Sequence, residues 1–168
     1  MVTPDLNDMA FANNDLGNNK LRETAMLRNL LLGTVLAIGF ATAASAATMQ
    51  FTAVLDGKSE VPPKTGSGFG DVLATLDTNT KTLSYTLTFQ GLSGPATAAH
   101  FHGPAAEGAN AGVAVAIAKD PASPVTGNAT LTDAQMADLE AGKWYANVHT
   151  AANPGGEIRG QMKPVKAR

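Results

Sequence analysis

Thr82-Leu-Ser-Tyr-Thr-Leu-Thr-Phe89 alternates without a break. Side chains in a strand repeat every two residues, so Leu83, Tyr85, Leu87 and Phe89 share one face and the Thr and Ser residues share the other. A strand with one apolar and one hydroxyl-bearing face stands between a core and water, the usual situation in antiparallel sheet. Just upstream, Thr78-Asn-Thr-Lys81 reads as a turn and residues 70–77 as a partner strand, which makes 70–89 a hairpin. Further back, residues 49–55 form a strand that Asp56-Gly57 stops. A loop over 59–68 follows, because Pro62-Pro63 cannot continue a ladder.

Downstream the same grammar repeats. Gly91-Leu-Ser-Gly-Pro95 is a turn, residues 98–102 are a strand closed by Gly103-Pro104, and residues 112–117 are another strand. Pro121 and Pro124 mark a loop. Residues 143–150 and 157–162 read as the last strands, separated by the Asn153-Pro-Gly-Gly156 turn, whose glycines permit positive φ. One short helix is predicted over about 132–141. Thr132-Asp-Ala-Gln135 is a capping box, Met136 and Leu139 share a face, and Gly142 ends the segment. The expected fold is all-β: an antiparallel, Greek-key-like β-sandwich of about seven or eight strands with one short helix.

The chain has 168 residues, which favours one domain. Met26-Leu-Arg-Asn opens onto the apolar run Leu30-Leu-Leu-Gly-Thr-Val-Leu-Ala-Ile-Gly-Phe40, which ends in Ala44-Ser-Ala46. A basic start, a short apolar run and an Ala-x-Ala end are the parts of a secretory signal peptide. Residues 26–46 are therefore expected to be removed between Ala46 and Ala47, and 47–168 to form the mature domain, periplasmic or secreted. The alternative, a retained anchor, is disfavoured because the run falls short of the ~20 apolar residues that span a bilayer. Residues 1–25 make an unusually long polar leader, and Met26 stands where a signal peptide would normally begin. Met1 and Met26 are thus competing start sites, and the leader lies outside the fold.

Formal net charge is −2, and residues 47–168 hold nine basic and ten acidic residues. Such a balance supplies no field for nucleic acid or an anionic membrane. There is no Cys, which excludes disulfides, thiolate metal sites and thiol nucleophiles. No Gly-x-Ser-x-Gly elbow and no phosphate-cradling Gly loop followed by Lys is present, so the sequence offers no motif for catalysis.

All three histidines of the chain fall in two motifs, Ala99-His-Phe-His-Gly-Pro104 and Asn147-Val-His-Thr150. Together with Leu131-Thr-Asp-Ala-Gln135…Leu139…Gly142…Tyr145 and Asn153-Pro-Gly-Gly-Glu-Ile-Arg-Gly-Gln161, and in this order, they resemble the CHRD (chordin-type) domain family over about 51–162. The resemblance implies a β-sandwich-like extracytoplasmic module of the kind found in chordin and in bacterial exported proteins. It says more about fold and compartment than about activity. A single domain differs from multi-domain chordin, so growth-factor binding is not carried over.

Read from the residues alone, His100 and His102 project to one side of their strand while Phe101 points to the core. Two imidazoles at that spacing can converge on one ion, and His149 on another strand can supply a third nitrogen. Three imidazoles suit copper or zinc. The His-x-His strand is similar to that of copper,zinc superoxide dismutase, although no fourth copper ligand and no zinc loop is apparent. The competing reading is structural, with imidazoles fastening the Gly103-Pro104 and 153–156 loops. Glu157 and Arg159 also share a face and read most simply as a surface ion pair. Asn147, on the face of His149, and Glu157 are the candidates for orienting a histidine ring from the outer shell.

Three functions follow. The first is an exported binding module holding a transition metal, copper favoured, at His100, His102 and His149. The second is a structural or adhesion module for a protein or polysaccharide partner, without metal. The third is a copper-dependent redox enzyme.

Overall fold

A computed structural model of the chain describes residues 47–166. The leader and signal-peptide expectations lie outside the described residues. The described residues form nine strands and one helix: β1 Thr48–Asp56, β2 Phe69–Asp77, β3 Thr82–Gln90, β4 Ala96–His102, β5 Val113–Lys119, β6 Val125–Thr130, α1 Asp133–Glu140, β7 Tyr145–Thr150, β8 Ile158–Gln161 and β9 Lys163–Pro164. Every ladder is antiparallel. The fold is all-β, as the period-2 pattern dictates. Among the described residues no helix is long and apolar enough to cross a membrane.

The strands follow the order β5-β4-β7-β8-β1-β2-β3-β6, with β9 pairing β1. This is one continuous sheet that folds over on itself. Tyr85 on β3 meets Phe101 on β4 edge to face at 5.2 Å, although the two strands are not ladder neighbours. The β1-β2-β3-β6 half therefore lies across the core from the β5-β4-β7-β8 half. The connections β3–β4, β5–β6 and β6–β7 each leave the ladder neighbour, as Greek-key connections do. The halves join between β8 and β1 at a single residue pair, Asp56 with Arg159.

Inward positions of both halves supply the core: Phe51, Leu55, Val72, Leu76, Leu83, Leu87, Phe101, Val148 and Ile158 are fully buried. Trp144 joins them and packs near Phe101, so it is a core residue. α1 begins at the Thr132 capping box, with Gln135 N donating to Thr132 Oγ1 and Gln135 Oε1 accepting from Thr132 N. Leu139 is its buried side chain.

Two strands escape the sequence pattern. β6 reads Val-Thr-Gly-Asn-Ala-Thr, whose Gly127-Asn128 resembles a turn. Gly127 is there because it pairs with Tyr85: a Cβ at this position would stand 2.5 Å from Tyr85 Oη. β9 is only two residues long and carries Pro164.

Candidate metal centre

The outward face of the β4-β7-β8 layer is not a solvent face. Asn147, His149, Glu157 and Arg159 are all buried. The loop before β2 and the loop between β4 and β5 cover part of this face. Arg159 donates to Asn110 Oδ1 at 2.9 Å and to the Ala109 carbonyl at 2.6 Å, and Asn110 Nδ2 donates to the Val61 carbonyl at 3.2 Å. Glu60 reaches in from the first loop and accepts from Asn147 Nδ2 at 2.6 Å. A polar layer thus lies outside the sheet, opposite the apolar core.

Within this layer β4 and β7 set the histidines side by side. His100 and His102 alternate with the buried Ala99 and Phe101, as the i, i+2 rule requires. On β7, His149 pairs with Ala98, Asn147 with His100 and Tyr145 with His102. One ligand nitrogen from each histidine lies within 4.8 Å of the others. His100 Nδ1 and His149 Nε2 stand 3.0 Å apart.

The hydrogen bonds assign the tautomers. A carbonyl only accepts, so His102 Nδ1, 3.1 Å from Ala111 O, carries a proton, and so does His149 Nδ1, 3.0 Å from Pro154 O. The Nε2 atoms of both neutral rings are then bare. That of His149 accepts from His100 Nδ1–H. That of His102 is buried with no hydrogen-bond partner. Burial holds all three rings below the ordinary imidazole range. For His100 and His102 the charge of neighbouring histidines lowers it further, while the Ala111 and Pro154 carbonyls work in the opposite direction at His102 and His149. These shifts favour the neutral ring, the form that coordinates metal.

Tyr145 and Arg159 complete the surroundings. The Tyr145 ring stacks on His102 at 4.9 Å and 3°, and the Arg159 guanidinium lies 3.4 Å over the Tyr145 ring. Tyr145 Oη also accepts from Ala111 N, fastening the loop whose carbonyl orients His102.

Asn147 and Glu157, the outer-shell candidates, make no hydrogen bond to a histidine. Asn147 is engaged by Glu60. Glu157 accepts from Ser93 N, Ser93 Oγ, Thr150 Oγ1 and Asn153 Nδ2. Burial opposes its ionisation, but these hydrogen bonds prevail and lower its pKa. It braces the turn after β3 against the turn before β8. Nor do Glu157 and Arg159 form a surface ion pair, for both are buried and each has other partners. The ring-orienting role belongs to main-chain carbonyls, which leave no trace in residue identity. Tyr145 was within reach of sequence reading, being on the period-2 face of Asn147 and His149. Glu60 was not, because it sits in a loop with no periodicity.

The model of the CHRD domain matches residues 51–162. This chain belongs to the CHRD-domain family. The match runs from within β1 to just past β8 and includes all three histidines. No curated protein and no solved structure matches the chain.

Proposed function

We propose that this chain is an exported CHRD-domain binding module that holds a transition metal, copper before zinc, at His100, His102 and His149. The observation that carries the reading is the convergence of three imidazole nitrogens within 4.8 Å, with two of the rings already held in the tautomer that leaves Nε2 bare. The 3.0 Å between His100 Nδ1 and His149 Nε2 suits two ligands on one ion bound at ~2.0–2.1 Å. An ion there takes the place of the shared proton, which His100 then carries on Nε2. Imidazole donors without thiolate favour copper, which stands above zinc in divalent affinity. Export rests on the signal-peptide pattern of residues 26–46 and places the protein in the periplasm or outside the cell, with no membrane anchor after cleavage.

Titration of the purified chain with Cu(I), Cu(II) and Zn(II), beside the His100→Ala/His102→Ala double variant, tests this. Stoichiometric binding in the wild type that is lost in the variant supports it. Equal binding by both proteins, or none by either, removes it.

A second reading is favoured by one observation. The outer face of β1, β2 and β3 exposes Val54, Phe69 and Leu73 among Thr, Ser and Gln side chains. Such a face suits a protein or polysaccharide partner, independently of the histidines. Binding to immobilised polysaccharide or to cell-surface extract that falls in Leu73→Glu and persists in the histidine variant would support it, and unchanged binding in Leu73→Glu would dismiss it.

A further inference from the structure

The three ligands of the proposed centre are neutral, and the acidic groups of the same face are engaged elsewhere. Glu157 is held by Ser93, Thr150 and Asn153. Glu60 is bonded to Asn147 and has Arg159 as a charge neighbour. Among the described residues no Asp, Glu or Cys joins the histidines as a fourth donor. Nearby stands a fixed cation, because Arg159 lies over Tyr145 and Tyr145 stacks on His102. An ion entering this centre therefore meets three neutral donors, no carboxylate ligand, and a fixed positive charge beyond Tyr145.

That environment discriminates by charge. The cost of holding an ion away from water rises steeply with its charge, and its repulsion from Arg159 rises in proportion. Coordination acts in the same direction. Zinc completes a tetrahedron and divalent copper prefers four tetragonal donors, so each needs a water or an outside ligand here. Monovalent copper has a filled d shell and accepts three neutral donors. We infer that the centre is selective for Cu(I) over Cu(II) and Zn(II), an inference that rests on the reading of the triad as a metal site.

The test is a set of anaerobic competition titrations on the full chain. Cu(I) is measured against a chromophoric Cu(I) chelator, and Cu(II) and Zn(II) against chelators of known affinity. The expected result is a Cu(I) dissociation constant at least about 100-fold below those for Cu(II) and Zn(II). His102→Ala should lose most of the Cu(I) affinity. Comparable or tighter binding of either divalent ion overturns the selectivity and leaves the site standing. Tight Cu(I) binding that His102→Ala does not weaken places the ion elsewhere and overturns the inference. Failure of all three ions to bind removes both the inference and the metal reading beneath it.

Discussion

Glu60 offers the sharpest test of the polar layer. The residue is 5 % exposed, and burial pushes its pKa from 4.5 up to about 7, against the opposing pull of Arg159, the Asn147 hydrogen bond, the Val61 amide and Lys64. In the unfolded chain Glu60 ionises near its ordinary value, so the unfolded state gains stability from pH 4.5 upward while the folded state does not follow until about pH 7. Its contribution to folding is therefore complete below pH 4.5 and lost as pH rises through 7. At about 1.4 kcal/mol per unit, the loss comes to about 3–4 kcal/mol. Glu60→Gln keeps the acceptor for Asn147 and removes the titration. The variant should match the wild type below pH 4.5 and exceed its stability by about 3–4 kcal/mol above pH 7.5. Urea unfolding of both proteins at several pH values reads the difference, and contributions common to both, including those of the histidines, cancel. A wild type that is more stable than Glu60→Gln above pH 7.5 would refute the reasoning. It would mean that ionised Glu60 is held by Arg159 strongly enough to outweigh its burial.

Phe101→Ala opens a cavity between Tyr85 and Trp144 and should cost about 3–5 kcal/mol in urea unfolding. Gly127→Ala drives a methyl group into the Tyr85 ring and should cost about 1–3 kcal/mol, whereas the exposed neighbour Asn128→Ala should change little. Thr132→Ala removes the hydroxyl that caps α1 and should cost about 1 kcal/mol by the same assay. Because all three histidine pKa values are lowered, protons should compete with metal only below the ordinary imidazole range; binding that weakens already near pH 7 would contradict the burial of the triad.

The architecture was legible where side-chain period and burial coincide. Leu83, Tyr85 and Leu87 announce β3, and Thr132 with Gln135 announces α1, because those signals are local. β6 was illegible because its place is fixed by Tyr85, some forty positions earlier in the chain, and not by its own pattern. The histidine face illustrates the same division. Strand period puts His100 and His102 together, but only the β4–β7 register decides that His149 arrives 3.0 Å from His100. The partners of Glu157 and Asn147 escape the sequence because strand period marks an outward face without showing what covers it. Here the loops after β1 and β4 roof it over, and buried polar groups then seek one another.

The contact between His100 and His149 closes a segment of 49 residues that contains β5, β6 and α1. In a chain without cysteine, an ion gripped from both sides of that segment acts as a reversible cross-link. The unfolded chain scatters the three imidazoles and offers the ion far less, so each decade of free ion above the dissociation constant adds about 1.4 kcal/mol to folding. Thermal stability and protease resistance of this domain would then rise and fall with ion supply, making the fold itself a gauge of the metal around it.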